Sequence, residues 1–336
     1  MDIGLGTRKD FIHFGNLKPK KIFNIYKKVF STPRPILNYF PLSYYIDLST
    51  ICNLRCLHCF QREFDSDKHI KRQFMKYEDF LKILEKIKDY ALILHLYNWG
   101  ESLLNPDALK IIRAAYDCGI RSRISSNIAM RMSDEYVEGI IESGLYRLTC
   151  SIDGPTQEIY GKYRVDGDIE QVINNARRIL AVRKKRSVKY PFIVYRMLVF
   201  EWNHEYIEQS RNLAKEIGFD GFYTYPGTYN RDGEEVLWDM DNRRWKSDPG
   251  RRSGMNLVKA KTPCHWLFNS MVLTANGRSL ACCTIPELAA EGPSLIQCSL
   301  NEVWNSEGYV RSREYSLGLT LDRSKVMYQC KKCADL

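Results

Sequence analysis

Three closely spaced cysteines are the residues of this 336-residue chain whose type and spacing point most directly to chemistry. Cys52, Cys56 and Cys59 follow a strand-like run at 44–50. Thiolates are natural ligands of iron–sulfur clusters, and three of them on a four-iron cluster leave one iron open to a small molecule. The spacing therefore predicts such a cluster rather than three small apolar side chains on one helix face. A zinc ion would need a closed fourth ligand, for which His58 is the nearby candidate.

A second group of cysteines lies near the C-terminus. Its members are Cys264, Cys282, Cys330 and Cys333. Asn276-Gly277 is a strong hairpin signal, so the apolar runs on either side of it should pair and bring the first two cysteines together. Ser299 and Glu302 form a capping box for a helix whose return would carry the last pair back to the hairpin. Four such thiolates suit a tetrahedral zinc ion or a second iron–sulfur cluster, and the residues alone leave both open.

The composition is that of a protein with a substantial core. Its hydrophobic content is 44%, and no stretch reaches the length of about 18 apolar residues that a membrane span requires. Residues 1–10 lack the apolar region of a signal peptide. Eleven cysteines that cluster are better explained by metal ligation in a reducing compartment than by disulfides, which predicts a cytoplasmic location. The formal net charge of +10 is compatible with nucleic acid, anionic lipid or a phosphorylated substrate.

Strand-like runs alternate with helix-period segments, which is typical of βαβ units and a parallel sheet. The predicted strands are 44–50, 91–97, 121–126, 146–152, 192–200 and 221–225. One intervening helix is expected to start after Pro106 and another at Asp168, a suitable N-cap. The pattern predicts an α/β fold whose ligand site lies at the carboxyl ends of the strands.

The order of the motifs resembles that of the radical SAM superfamily. The three cysteines follow the first strand, and Asn98-Trp99-Gly100-Glu101 follows the second, with Trp99 where the family often has another glycine. Three further matching segments follow in order: 123–127, 148–155 and 195–200. The resemblance implies a partial (β/α)6 TIM-like barrel that binds S-adenosylmethionine and a four-iron cluster. The cofactor contacts that it implies are Gly100, Glu101, Ser125, Asn127, Ser151, Asp153 and Arg196.

The second cysteine group resembles the auxiliary-cluster domains of the same superfamily, called SPASM and, in the shorter form, twitch. This likeness implies a small C-terminal iron–sulfur domain of a hairpin and helices, whose four-iron cluster is ligated by all four cysteines and transfers electrons. Cys283 and Cys298 are alternatives, either as ligands in place of Cys282 or as hydrogen donors to a substrate radical. Cys118 and Cys150 are expected to be small core residues.

The resemblance implies an enzyme that cleaves S-adenosylmethionine to a 5'-deoxyadenosyl radical and removes a hydrogen atom from its substrate. We expect oxidation of a small alcohol or carbohydrate-like substrate, anionic groups included, with the auxiliary cluster as electron acceptor. The alternative is maturation of a ribosomally made peptide by crosslinking, oxidation or epimerisation. A reducing donor such as flavodoxin or ferredoxin is the expected partner. No residue is assigned as the proton acceptor.

The chain divides into four predicted segments. They are a basic arm at 1–43, the barrel at 44–225, a bridging loop at 226–262 and the auxiliary domain at 263–336. The arm contains an amphipathic helix among several lysines. Its apolar face consists of Ile22, Ile25, Tyr26, Val29 and Phe30. We expect this face to pack against the barrel, and contact with a membrane surface is the alternative.

Overall fold

The computed structural model describes residues 18–57, 59, 61, 71–231, 234–239, 244–248, 263–283, 292–331 and 333, and only the backbone between 228 and 248. His58 and residues 1–17 of the predicted arm lie outside the described residues.

Six parallel strands form the body of the sheet, in the order of the chain. They are β1 (Ser43–Ile46), β2 (Ile93–His95), β3 (Arg121–Ser126), β4 (Arg147–Ser151), β5 (Phe192–Val199) and β6 (Gly221–Pro226). Each of the six lies where the sequence predicts a strand, although β1 and β2 are shorter than their apolar runs. The predicted α/β fold with a partial TIM-like barrel is therefore confirmed.

Helices alternate with these strands. They are α1 (Pro19–Val29), α2 (Tyr77–Ile87), α3 (Ala108–Asp117), α4 (Asp134–Glu142), α5 (Gln157–Tyr163), α6 (Ile169–Lys185) and α7 (Ile207–Ile217). The Asp168 carboxylate accepts hydrogen bonds from the first backbone N–H groups of α6, which confirms it as the N-cap. Strand residues such as Leu94, Ile124 and Leu148 pack with the helices in one large core. Their neighbours in sequence therefore point to the opposite, inner face of the sheet.

The C-terminal part adds a hairpin to the barrel sheet. Its elements are α8 (His265–Asn269), β10 (Ser270–Leu273), β11 (Ser279–Leu280), α9 (Leu300–Trp304), α10 (Glu307–Ser316) and α11 (Tyr328–Lys331). The predicted hairpin forms, with Gly277 at φ 76° in its turn, and the capping box of Ser299 and Glu302 starts α9. The sequence did not predict that β10 pairs in parallel with β1, which makes one sheet of the barrel and the hairpin.

The segment predicted to be a bridging loop contains regular structure. Its strands, β7 (Thr228–Arg231), β8 (Glu234–Asp239) and β9 (Arg244–Asp248), form a separate antiparallel sheet. The sequence Asp-Gly at 232–233, between the first two strands, is itself a hairpin signal, and the polar composition of the segment obscured it.

Helix α1 packs against the rest of the protein with the face opposite to the one predicted. Its apolar residues are exposed, with Val29 at 68% and Phe30 at 72%, whereas Lys21 and Asn24 are buried. The Asn24 side chain donates to the Phe40 carbonyl at 3.0 Å and accepts from the Phe40 N–H at 2.8 Å. These two hydrogen bonds fix the rotation of the helix, so the predicted packing of its apolar face is wrong. In the described part of the chain, no helix has the length and apolar character needed to cross a membrane.

Candidate active site

The loop of the first cysteine group starts at the carboxyl end of β1 and rests on the end of α5. The Arg55 N–H donates to the Val165 carbonyl at 3.1 Å, and the Leu57 N–H donates to the Tyr163 carbonyl at 3.0 Å. The Cys59 N–H donates to the Cys56 carbonyl at 3.3 Å. These backbone bonds hold Cys52, Cys56 and Cys59 at the edge of the sheet where parallel strands place their ligand sites.

Cys56 is buried and Cys52 is half-buried, and both thiols accept from N–H donors. Arg164 Nη1 donates to Cys56 Sγ at 3.6 Å, and Asn127 Nδ2 donates to Cys52 Sγ at 3.8 Å. Burial raises the pKa of Cys52 to about 12 and also raises that of Cys56. Such thiols become thiolates when a metal binds them, and N–H donors then stabilise the ligated sulfurs. The residues present therefore fit a cluster.

Arg164 is a member of this site that the sequence did not reveal. Its Nε donates to Asp153 Oδ2 at 2.6 Å, and the Leu198 N–H donates to Asp153 Oδ1 at 2.6 Å. Asp153 is fully buried, so both oxygens of this predicted cofactor contact accept from protein groups. The pair links the cysteine loop to β5. Nothing in the local sequence marks Arg164, because its partners are distant in the chain.

The glycine–glutamate turn after β2 faces the same loop. A Cβ at Gly100 would lie 2.1 Å from the Ser49 carbonyl oxygen, so only glycine fits there. The Glu101 carboxylate accepts from the Leu103 N–H at 3.1 Å and from the Asn127 N–H at 2.8 Å. Burial raises the pKa of Glu101. A buried carboxylate in this setting is stabilised by a cation, and the ammonium group of a bound amino acid would supply one.

Asp47, directly after β1, supports both motifs and was also missed. It is fully buried and accepts from the Ser49 N–H at 3.4 Å, and the backbone N–H groups of Trp99 and Gly100 lie close enough to lower its pKa. Burial raises the pKa of Asp47 to about 7, although the neighbouring backbone N–H groups lower it. The aspartate thus ties the start of the cysteine loop to the glycine–glutamate turn.

Three further predicted contacts meet at the carboxyl ends of β3, β4 and β5. Ser125 Oγ lies 3.4 Å from Ser151 Oγ, and Arg196 Nη2 donates to Ser151 Oγ at 2.5 Å. Asn127 lies beside the cysteine loop, where its side chain donates to Asn53 at 3.0 Å. The structure therefore brings these polar groups and the first cysteines to one edge of the sheet.

The inner face of the sheet carries aromatic and cationic side chains. The strand register places Tyr45, His95, Arg123 and Arg147 side by side on β1 to β4. The rings of Tyr45 and His95 stack at 4.1 Å, and His95 Nδ1 lies 3.2 Å from the Tyr97 hydroxyl. Burial, followed by the charges of the two arginines, lowers the pKa of His95 to about 3, so its imidazole is neutral.

The second cysteine group lies in apolar surroundings at the end of the hairpin. Cys264, Cys282 and Cys283 pack against Trp266 and its apolar neighbours. Burial raises the pKa of Cys330, and the thiols of the other three predicted ligands act on it electrostatically. The structure thus brings Cys264, Cys282, Cys330 and Cys333 near one another, as the sequence predicts.

In the described part of the chain, no group of three or more His, Cys, Asp and Glu side chains is placed to hold a metal ion. A cluster binds each thiolate at a different iron, so its ligands need not converge on one point. Of the remaining cysteines, Cys150 is fully buried in the main core as predicted. Cys283 lies close enough to Tyr97 to affect the pKa of the Tyr97 hydroxyl, which burial raises to about 12.

The partial barrel, the cysteine loop after β1 and the glycine–glutamate turn after β2 define an enzyme class that uses S-adenosylmethionine at an iron–sulfur cluster. Residues 46–235 match the family model of the radical SAM superfamily, and residues 264–334 match the iron–sulfur cluster-binding domain called SPASM. The chain belongs to the radical SAM superfamily and carries a C-terminal SPASM domain. It therefore binds S-adenosylmethionine and a four-iron cluster in the first domain and auxiliary iron–sulfur clusters in the second.

Known proteins similar to this chain act on different substrates. An AdoMet-dependent heme synthase of Methanosarcina barkeri is 26% identical over 194 residues, which are 56% of this chain and 52% of the relative. A GTP 3',8-cyclase of Clostridium botulinum is 23% identical over 171 residues, 51% of this chain and 52% of the relative. The chain spans about half the length of these curated relatives.

Two solved structures share the fold. Streptococcus suis SuiB bound to S-adenosylmethionine has a TM-score of 0.63 at 17% identity, covering 87% of this chain and 70% of SuiB. BtrN in complex with AdoMet and 2-DOIA has a TM-score of 0.50 at 13% identity, covering 83% of this chain and 87% of BtrN.

Proposed function

We propose that this radical SAM enzyme oxidises a small alcohol or carbohydrate-like substrate and passes the released electron to its auxiliary cluster. The observation that carries the proposal is the position of Tyr45. Its ring stacks on His95 in the barrel interior and lies 4.9 Å from the ring of Trp266, which packs against the second cysteine group. A substrate in the interior would therefore lie between the two cysteine groups.

At the first site, Cys52, Cys56 and Cys59 would hold a four-iron cluster with one open iron. When both are bound there, the reduced cluster donates one electron to S-adenosylmethionine, whose cleavage gives a 5'-deoxyadenosyl radical. Asn127 and Arg164 would donate to the ligated sulfurs, and Asp153 would position Arg164.

The remaining polar groups of this edge would bind S-adenosylmethionine. Gly100 leaves room for the turn that presents Glu101, whose carboxylate would receive the amino group. Ser125, Ser151 and Arg196 would bind the ribose and the carboxylate. Hydrogen bonds among these three side chains support this assignment.

At the second site, Cys264, Cys282, Cys330 and Cys333 would hold a four-iron cluster. Four cysteine ligands leave no iron for substrate, so the cluster would exchange electrons only. Oxidation of an alcohol carbon to a carbonyl releases, after hydrogen abstraction, one proton and one electron. The cluster would accept that electron.

The test is spectroscopic and needs no substrate. A Cys52→Ala, Cys56→Ala, Cys59→Ala variant is reconstituted with iron and sulfide without oxygen, reduced, and measured by electron paramagnetic resonance. We expect the signal of a reduced four-iron cluster at the second site, and 5'-deoxyadenosine from wild-type enzyme but not from the variant. A silent second site would remove the electron acceptor and the oxidative proposal with it.

Maturation of a ribosomally made peptide is the second candidate. SuiB, whose structure is also known bound to the precursor peptide SuiA, covers 87% of this chain. An epimerising enzyme of this kind needs a hydrogen donor, for which Cys283 is suited because it lies close enough to the interior to act on Tyr45 and Tyr97. Cys283→Ala should then abolish product while 5'-deoxyadenosine still forms. Cys298→Ala is the matched control, because Cys298 packs against the main core.

The predicted domain limits and a flavodoxin- or ferredoxin-like electron donor are also part of the proposal.

We further propose that helix α1 contacts an anionic membrane surface. The helix exposes Ile22, Phe23, Tyr26, Val29 and Phe30. It carries lysines and no acidic residue, so its charge complements anionic lipid.

Co-sedimentation with vesicles tests the membrane contact. The full chain should bind vesicles that contain phosphatidylserine and should not bind phosphatidylcholine vesicles. The Phe23→Ser, Phe30→Ser variant should lose this binding, because it removes the largest exposed apolar groups. Failure of the wild-type chain to bind anionic vesicles would exclude the proposal.

A further inference from the structure

One face of helix α10 lies against the second cysteine group. The members of this face, which are spaced as neighbours on one side of a helix, are Tyr309, Ser312, Arg313 and Ser316. The Ser316 hydroxyl accepts from the Cys264 N–H at 3.1 Å. The Ser312 hydroxyl accepts at 3.0 Å from the N–H of Met327, three residues before Cys330. The face therefore contacts two of the chain segments that carry this group.

Arg313 lies on this face and is fully buried. Its Nε donates to the Leu267 carbonyl at 2.9 Å. Its Nη1 donates to the Pro35 carbonyl at 3.0 Å and to Asn305 Oδ1 at 3.2 Å. The centre of the guanidinium lies 4.2 Å from the centre of the Trp304 ring. Burial lowers the pKa of Arg313 to about 10, so this side chain is a cation at neutral pH and all of these partners are neutral.

The charge of Arg313 has no acidic counterpart. Among the residues that the structure describes, no carboxylate forms an ion pair with it. Arg164 at the first cysteine group is also buried, but the Asp153 carboxylate lies 2.6 Å from its Nε and balances its charge. A buried charge acts on its surroundings more strongly than an exposed one, because little water screens it. The second cysteine group is therefore near an unbalanced cation, and the first is beside a balanced pair.

Tyr309 lies between this cation and the second cysteine group. Its ring centre is 5.2 Å from the Arg313 guanidinium. Its hydroxyl donates at 2.8 Å to the carbonyl of Leu280, two residues before Cys282. Burial raises the pKa of the Tyr309 hydroxyl, and Arg313, Cys330 and Cys282 also act on it electrostatically. One side chain therefore spans the space between the guanidinium and the cysteines.

We propose that Arg313 raises the reduction potential of the second cluster and so suits this cluster to accept an electron. Reduction adds one negative charge to a cluster that four thiolates already make anionic, and a buried cation stabilises the added charge. The electron comes from the substrate radical, which becomes the carbonyl product and releases its hydroxyl proton to the solvent. The inference rests on the proposed function for the four-iron cluster at the second cysteine group. Arg313 acts through that cluster and does not contact the substrate.

The test is a redox titration of the full chain with both clusters reconstituted, followed by electron paramagnetic resonance. The spectrum of the Cys52→Ala, Cys56→Ala, Cys59→Ala variant identifies the signal of the second cluster. Arg313→Met removes the charge and keeps an apolar chain of similar length among the aromatic rings. At a fixed potential, the ratio of reduced to oxidised second cluster should fall about tenfold, which is a shift of about 59 mV for one electron.

Three further variants separate the charge from the structure. Arg313→Lys keeps the charge but loses the guanidinium hydrogen bonds, so the potential should stay close to that of wild type. Arg177→Met removes the same charge from an exposed ion pair with Glu216 and should leave both potentials unchanged. If Arg313→Met does not fold, Arg313→Gln replaces it. Its amide still donates hydrogen bonds without a charge, and the same fall is expected.

An Arg313→Met potential equal to that of wild type would overturn the inference. An equal fall in Arg313→Lys would also overturn it, because the lost hydrogen bonds would then be the cause. A shift of the same size in the first cluster would do the same, since it would indicate a general change in the fold. A second site without a cluster signal would refute the proposed function and this inference together. A second cluster whose potential does not depend on Arg313 would leave the proposed function standing.

Discussion

The two cysteine groups of this chain have the same ligand chemistry in different surroundings. Around the first, Arg164 and Asn127 donate to thiols, and Glu101 lies close enough to act on Cys52. In the second group, Cys264 and Cys282 pack against Trp266 and its apolar neighbours, and Cys330 is buried in the main core. Burial raises thiol pKa values in both groups, so both need a metal to become thiolates.

This difference indicates a division of labour. A site that must bind and orient a charged cofactor needs polar groups directed at one volume, and such groups are costly to bury unless they are used. A closed electron-transfer site needs its ligands and a dry shell, which sets its potential. We therefore expect S-adenosylmethionine to bind at the first cysteine group, which has polar neighbours. We expect the second cysteine group, which has apolar neighbours, to accept electrons.

The largest effect is expected from a change that distorts the polar site alone. Gly100→Ala places a methyl group 2.1 Å from the Ser49 carbonyl, so the turn must shift, at a cost of at least about 2 kcal/mol. We expect loss of S-adenosylmethionine cleavage with the second cluster intact, measured as 5'-deoxyadenosine and iron content. Gly221→Ala is the matched control, because its nearest neighbour, Val194, would be 3.7 Å away. Normal cleavage by Gly100→Ala would contradict the close approach.

A smaller effect on turnover is expected when a side chain that donates a hydrogen bond to a cysteine sulfur is replaced. Arg164→Lys keeps a positive charge beside the buried Asp153 but loses the guanidinium N–H that reaches Cys56. Turnover to 5'-deoxyadenosine should fall about 10- to 100-fold, and the first cluster's reduction potential should become more negative. Ser312→Ala is the counterpart at the second site, where the Ser312 hydroxyl donates to the Gly308 carbonyl at 2.7 Å and lies close enough to Cys330 to lower the pKa of its thiol. It should move only the second cluster's potential, and a shift of the first by this change would break the comparison.

The smallest effect on turnover concerns Asp47, which supports the first site. Its pKa is about 7 in the folded protein and near 3.8 when unfolded, so between these values the folded state holds an extra proton. This contribution to stability is complete below about pH 4 and is lost as the pH rises through 7. Asp47→Asn should flatten the pH dependence of the free energy of unfolding by up to about 1.4 kcal/mol per pH unit between these values. A slope equal to that of wild type would show that Asp47 does not titrate there.

Local patterns in the sequence predicted the elements that they control. Alternation located all six barrel strands, Asp168 marked the start of α6, and Asn276-Gly277 predicted the hairpin. The cysteine spacing and Gly100-Glu101 indicated the family because these residues carry the cofactor chemistry themselves.

What the sequence missed depends on tertiary partners. The role of Arg164 comes from Asp153 and Cys56, which are distant in the chain. The rotation of α1 is fixed by the bonds of Asn24 to Phe40, which hydrophobic periodicity cannot predict. The row of His95, Arg123 and Arg147 on the inner face of the sheet exists only because the strand register aligns these residues. In each case, one long-range contact outweighs the local pattern.

The central claim, that one open and one closed cluster share this chain, is tested most directly by counting metal. Iron, sulfide and zinc are measured in oxygen-free wild-type protein and in the Cys52→Ala, Cys56→Ala, Cys59→Ala variant. We predict about eight irons in the wild type and about four in the variant, with no zinc in either. About four irons with one zinc in the wild type, and zinc alone in the variant, would contradict it and make the second cysteine group a structural zinc site.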